Sequence, residues 1–195
     1  MAEVELPDAE ELEEIRAKTF TRRVALVTAI FAVILAISSL GGNNATKEML
    51  LAQQQASDQW AFYQAKVIRE HLYRSQKMRI EADLLEREGT LRPEVRQHFE
   101  SMLRKMNDEE DRYNKEKREI EQEAMKLEHE RDINRSKDPY FDYAEVLLQI
   151  SIVMASISIL AVSRPIFYFG IVLASLGTLL TLNGFLLIFR LPFLH

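Results

Sequence analysis

The chain has 195 residues, a formal net charge of −5, 47% apolar residues beside 28% charged ones, and no cysteine. The last fact excludes a disulfide framework, thiol catalysis and a thiolate metal site, and leaves the redox compartment open. Because its charges are mixed and net acidic, the chain offers no coherent basic surface for nucleic acid, and no nucleic-acid partner is expected.

The charges are segregated along the chain. Residues 44–139 hold 40 of the 55 Lys, Arg, Asp and Glu residues, residues 24–43 hold none, and residues 146–189 hold only Arg164. This pattern predicts an all-α membrane protein with three transmembrane helices. A long antiparallel helical hairpin, coiled-coil-like, is inserted between spans one and two.

The polar segment 1–23 reads as a short helix. Asp8 after Pro7 is its cap, acids crowd its start and bases its end, Glu14 reaches Lys18, and Leu12, Ile15 and Phe20 give it one apolar side. It can lie on the inner membrane surface or dock a partner, although its acids oppose anionic lipid. Residues 24–43 are apolar or small and reach the roughly 20 residues of a spanning helix, closing on Gly41, Gly42 and Asn43. A cleavable signal peptide is the competing reading, but seven acids in the first 23 residues contradict a basic leader.

Residues 44–139 form the extramembrane hairpin. Its first arm, 45–88, contains no Gly or Pro and is rich in good helix formers. The turn falls near 89–92: Gly89 suits a left-handed C-cap, Thr90 a new N-cap, and Pro93 a first helical turn. The second arm runs to about Asn134, giving arms roughly 65 Å long. In that arm Phe99, Met106, Tyr113, Ile120 and Leu127 recur every seven residues. Their companions are Val95, Met102, Glu109, Glu116, Glu123 and Glu130, a seam apolar near the turn and acidic toward the membrane. With the turn at Thr90, Val67, Met78 and Leu85 fall opposite Tyr113, Met102 and Val95, while Trp60 and Tyr63 pack together opposite Ile120 and Ala124. Neighbouring copies are expected to cover Ala61, Ala65, Ile68 and Leu72; a solvated, mobile hairpin is the plainer alternative.

Spans two and three, residues 140–163 and 165–190, are separated by a tight turn at Ser163, Arg164 and Pro165 and leave a tail at 191–195. All three spans carry small residues at steps of four and three. These are Ala25, Ala29, Ala32 and Ala36, continued by Ser39; Ser151, Ala155 and Ser158; and Gly170, Ala174, Gly177, Thr181 and Gly184. In lipid such stripes let backbones approach closely, so they are predicted packing surfaces, and leucine at Ala174 and Gly177 is expected to dissociate a homo-oligomer. Past Glu145 no Asp, Glu, Lys, Arg or His lies within the apolar core, which argues against transport by ionisable groups. Asn183 and Gln149 are expected to hydrogen-bond a neighbouring helix.

Arg22 and Arg23 flank the first span on its N-terminal side, which predicts a cytoplasmic N-terminus and a periplasmic hairpin. Arg164 agrees, whereas Arg131, Arg135 and Lys137 do not. His71, His98, His129 and His195 are dispersed, and no phosphate loop or nucleophile elbow occurs. No catalytic, cofactor or metal residue is expected, and enzyme is the weakest reading.

At Gln53-Gln54-Gln55-Ala56-Ser57-Asp58-Gln59-Trp60-Ala61-Phe62-Tyr63-Gln64-Ala65-Lys66-Val67-Ile68-Arg69 the chain resembles a bacterial membrane family described as domain of unknown function 4337. The layout of one span, a helical insert and two further spans is similar to that family across nearly the whole chain. The resemblance implies a bacterial source and the inner membrane, and supplies no activity and no catalytic residue. Packing is preferred over ligand binding for this string, which sits on a helix without a pocket-forming turn. The expected function is a non-enzymatic, oligomeric membrane scaffold or accessory protein whose partners are the lipid bilayer, further copies and a membrane or periplasmic protein. The alternative is a channel or gating subunit whose pore forms only in the oligomer.

Overall fold

The structure, a computed structural model, describes residues 9–190, with side chains described from residue 14 onward. The expected cap at Asp8 with Pro7, the side chain of Leu12, and the tail 191–195 with His195 lie outside the described residues. Three α-helices account for nearly all of the rest: α1 (Ala9–Glu86), α2 (Pro93–Leu160) and α3 (Arg164–Leu186). Among the described residues there is no strand, and each helix contains a stretch long and apolar enough to cross a membrane.

Neither glycine pair nor proline interrupts these helices where the sequence suggested a boundary. Gly41 and Gly42 are helical within α1, and Pro139 is helical within α2. The polar segment before the first span is likewise the start of α1, with Glu14 bridged to Lys18 at 2.6 Å.

The chain divides into two compact units, one drawn from Met1–Glu48 and Ile133–His195, the other being Met49–Asp132. In the first unit, the buried residues of α1 are Val24, Phe31, Ser38, Gly41, Gly42 and Ala45; four of these, Val24, Phe31, Ser38 and Ala45, fall one every seven residues. On α2 they include Phe141, Ala144, Leu148, Ser151, Ala155 and Ser158, and on α3 Gly170, Ala174, Gly177, Thr181 and Gly184. Steps of three and four keep one face inward along each helix. Phe31, Leu148 and Ala174 form the centre of the core, with Val27, Ile34, Leu35, Ile152 and Ile171 around them.

The link between α2 and α3 is a Schellman motif. The Ser163 N–H donates to the Ser158 carbonyl at 3.0 Å and the Val162 N–H to Ile159 at 3.3 Å, with Val162 at φ 48° in the left-handed position. At the far end of α3, helix stops at Leu186, inside the apolar stretch that runs on to Phe189. Leu187 is left-handed, and Asn183 captures the next turn of chain from both sides. Its Nδ2 donates to the Phe189 carbonyl at 2.8 Å, and its Oδ1 accepts from the Phe189 N–H at 2.9 Å. Asn183 therefore satisfies backbone of its own C-terminal segment, not a neighbouring helix as the sequence led us to expect.

In the second unit, two arms run antiparallel on either side of residues 87–92, where Gly89 takes φ 83°. Trp60 meets Glu128, Lys66 meets Glu116, Tyr73 meets Tyr113 and Lys77 meets Asn107, a descending order on α2 as α1 ascends.

Candidate functional site

Among the described residues, no group of three or more His, Cys, Asp or Glu side chains is placed to hold a metal ion. His71, His98 and His129 are each exposed. The candidate functional features are therefore packing surfaces, and the structure sorts the small residues into two kinds.

Ser151, Ala155 and Ser158 of α2 and the five-residue stripe of α3 are committed inside the chain. A methyl placed on Gly177 would lie 3.0 Å from Leu148 Cγ and 3.1 Å from the Ala144 carbonyl oxygen, and one on Gly170 3.3 Å from the Ser151 carbonyl oxygen. These helices touch backbone to backbone, the arrangement that small residues permit in lipid. The hydroxyls are also satisfied locally: Ser151 donates to Leu147, Ser158 to Ala155 and Thr181 to Gly177, and the hydroxyl oxygens of Thr181 and Ser38 lie 3.2 Å apart. Leucine at Ala174 or Gly177 would thus disrupt the fold of one chain before it could report on association.

Ala25, Ala29, Ala32 and Ala36 behave differently, since all four are exposed and Ser39 is only half-buried. The inward face of α1 is offset from them by one residue, on Val24, Phe31 and Ser38. The cause is size: α2 and α3 already present small side chains, and the larger Val24 and Phe31 fill the groove between them.

One aromatic side chain was not singled out in the sequence. Phe141 is 1% exposed. Its ring stacks edge-on against Phe185 at 4.9 Å and sits in a slot floored by glycines. A methyl on Gly41 would be 2.6 Å from Phe141, and one on Gly184 would be 3.0 Å from it. The signal available in the sequence was the pair Gly41 and Gly42, which reads as a helix boundary but makes room for a ring.

The second unit carries a charged seam. Phe99, Met102, Met106 and Ile120 are half-buried and Tyr113 and Leu127 buried; of the expected companions Met102, Glu109 and Glu116 are half-buried too, and a second flank, Leu103, Glu110, Lys117, Ala124 and Arg131, is also covered. Glu123 and Glu130, expected on the seam, are exposed, as are Val95 (39%), Met78 (57%) and Leu85 (72%). Trp60, Tyr63 and Val67 are half-buried, and the two rings pack edge-on at 5.4 Å. The register explains the difference. Tyr73 stacks on Tyr113 at 5.7 Å, a place assigned to Val67 when the turn is centred on Thr90. The turn itself stays at 87–92, but the arms pair about a point two to three residues later, which rotates Met78 and Leu85 away and brings in Ile80 and Leu84.

Polar partners hold that register. Glu70, 4% exposed, accepts from Lys117 Nζ at 2.6 Å and from Arg74 at 3.0 Å; Arg74 continues to Glu110 at 2.8 Å. A second chain links Lys66 to Glu116, Glu116 to Arg112 and Arg112 to Glu109. The hydrogen bond from Lys117 holds the Glu70 carboxyl below its ordinary range, and Lys66 does the same for Glu116. Lys66 and the Arg112 guanidinium also lie 5.2 and 5.0 Å from the Tyr113 ring centre.

With these features in place, comparison with known proteins adds one finding: residues 20–187 match the model of the family described as Domain of unknown function (DUF4337). The chain belongs to this family. The match covers all three apolar stretches, the glycine slot and the charged seam, so these are parts of one family domain. No curated protein and no solved structure matches the chain.

Proposed function

We propose that the protein is a non-enzymatic, oligomeric scaffold or accessory protein of a bacterial inner membrane, with three spans and a periplasmic helical hairpin. The observation that carries the reading is the uncovered face of α1: Ala25, Ala29, Ala32 and Ala36 are exposed on a helix whose other face is already packed. In lipid such a stripe favours a second helix over acyl chains, because backbones can approach and gain dispersion contacts. Ala61, Ala65, Ile68 and Leu72 form a second uncovered row, all exposed. Steps of four, three and four place them on one side of α1.

Orientation follows from Arg22, Arg23 and Arg164, which mark the cytoplasmic side under the positive-inside rule. Mass photometry of detergent-extracted protein tests the assembly. Wild type is expected as a defined oligomer, and Ala29→Leu with Ala32→Leu and Ala36→Leu as a smaller particle. A monomeric wild type refutes the scaffold. Conductance of the wild-type oligomer in liposomes would replace it with a channel. Alkaline phosphatase fused near Gly89 is expected to be active, and a silent fusion would reverse the topology.

A further inference from the structure

The first unit contains a cleft of about 390 Å³ lined by Arg16 and Arg23 of α1 and Arg164 of α3. Its wall is aromatic: Phe20 packs edge-on against Phe167 at 5.9 Å, and Phe167 meets Tyr168 at 6.1 Å. A second opening beside it, about 500 Å³, shares Arg16, Phe20 and Arg164. Glu14 also borders that opening, but its carboxylate is bound to Lys18 at 2.6 Å.

The three arginines differ from those of the charged seam. Arg74, Arg112 and Arg131 each meet a carboxylate within 3.0 Å. Among the described residues, neither Arg16, Arg23 nor Arg164 has an ion-pair partner, and the three arginines line one cleft to which no described carboxylate contributes. Mutual repulsion makes this arrangement unfavourable in isolation and favourable around an anion. Position narrows the anion further. The uncharged stretch of α1 begins at Val24, directly after Arg23, and Arg164 opens α3 three uncharged residues after the end of α2. If these stretches span the bilayer, the cleft lies at headgroup depth, with Tyr168, 63% exposed, at the level where aromatic rings collect.

We infer that this cleft binds the phosphate of an anionic phospholipid, with the guanidinium groups on the phosphate oxygens and the aromatic wall against the glycerol and first acyl carbons. Arginine suits the task because its planar fork offers paired donors to phosphate. Basic pockets between spans on the cytoplasmic side are known hosts for such headgroups. The inference rests on the membrane-spanning reading proposed above.

Native mass spectrometry of the detergent-extracted full chain, titrated with phosphatidylglycerol, phosphatidylcholine or soluble glycerol phosphate, tests it. Phosphatidylglycerol is expected to bind at least about tenfold more tightly than phosphatidylcholine. Each of Arg16→Gln, Arg23→Gln and Arg164→Gln should weaken it about fivefold, and the triple variant on the order of a hundredfold. A matched variant carrying Arg92→Gln, Arg104→Gln and Arg118→Gln, three exposed arginines of the second unit, should bind as wild type does. Retained preference in the cleft triple variant overturns the inference, as does equal loss in the matched variant. Glycerol phosphate that displaces phosphatidylglycerol at equal concentration would make soluble phosphate the ligand and overturn the lipid assignment. Alkaline carbonate extraction separates the two levels of failure. Protein retained in the membrane without lipid preference sinks the cleft alone, whereas protein released by carbonate sinks the spanning reading beneath it.

Discussion

Gly41→Ala adds a single methyl where the structure has no space for it. The new carbon would lie 2.6 Å from Phe141 Cε1, 2.8 Å from Phe141 Cζ and 2.8 Å from Phe185 Cζ. Ordinary carbon contacts sit at about 3.5–4.0 Å, so two rings must move by roughly 1 Å. Phe141 has nowhere to go, because its ring already approaches the Gly184 position on another side, where an added carbon would be 3.0 Å away. Overpacking costs about 1–3 kcal/mol, and with two rings to displace the upper part of that range, about 2–3 kcal/mol, applies; the better helix propensity of alanine returns about 1 kcal/mol. The expected net loss is about 1–2 kcal/mol, which is about a 5- to 30-fold rise in the population of the opened core. Gly42→Ala is the internal control, since its nearest contact would be Phe141 Cβ at 3.1 Å and the propensity gain offsets it. The absence of cysteine allows a direct assay. Ser38→Cys, at a fully buried position one turn from Gly41, reports core opening through its rate of maleimide labelling in detergent. Adding Phe141→Leu to Gly41→Ala should recover part of the loss, a coupling of about 0.5–3 kcal/mol. Labelling that is unchanged by Gly41→Ala, or faster in Gly42→Ala, would refute the glycine slot.

Val162→Gly should slow labelling of a Ser158→Cys reporter several-fold. A side chain held left-handed at φ 48° costs about 1–2 kcal/mol, and the added chain entropy of glycine returns only part of that. Asn183→Ala removes the two Asn183 hydrogen bonds to Phe189, about 1 kcal/mol each, and leaves only the one from the Tyr140 hydroxyl at 2.9 Å, so trypsin should cut after Arg190 about tenfold faster in detergent. Glu70→Ala leaves Lys117 without its carboxylate. The loss should be about 2–3 kcal/mol, below the roughly 3–5 kcal/mol of a fully buried pair because the Arg74 side chain is 43% exposed. Acid should act on the same groups. Glu70 and Glu116 are held below their ordinary range when folded, so their contribution is complete above the unfolded value of about 4.3 and is lost as pH falls through the folded values. Emission from Trp60, the single tryptophan, whose indole donates to Glu128 at 3.0 Å, should change below about pH 4 and shift less with pH in Glu70→Gln. An unchanged acid profile in that variant would remove Glu70 from the account.

How much of this was legible beforehand depends on the kind of force involved. Three apolar stretches stand out by composition alone, because the bilayer demands long runs without charge, and the helices carrying them are present. The row Phe99, Met106, Tyr113, Ile120 and Leu127 could likewise be read from its spacing. Its partner row could not, since hydrophobic pattern gives no weight to Glu110 or Lys117, and these are inward-facing because each finds an opposite charge. The same blindness hid Glu70 and displaced the expected register. Phe141 was missed for a related reason: it lies at the very start of span two, between Pro139 and Asp142 and outside the small-residue stripe, and its burial depends on glycines distant in sequence. The α1 alanines illustrate the converse. Their spacing is visible, but which face of α1 turns inward depends on the size of the residues that α2 and α3 leave for it to fill.

The two units solve the same geometric problem with different chemistry. Along α1, Val24, Phe31, Ser38 and Ala45 are buried at intervals of seven in the first unit, and Ala52, Tyr73 and Ile80 hold places in the same sevenfold series in the second. In the first unit the series meets small residues and close backbones, which gives dispersion but little directional selectivity. In the second it meets a ladder of opposite charges, which adds less stability but penalises every shifted pairing, because a slip leaves Glu70 buried without Lys117. A charged seam of this kind can fix how two arms align without consuming their outer apolar residues. Phe62, Ile68 and Leu72, at 60%, 68% and 55% exposure, remain uncovered for that reason. An arm that fixes its register by ion pairs and leaves an apolar row outside is suited to holding a neighbour, and so supplies the proposed scaffold with a second contact beside the α1 alanines.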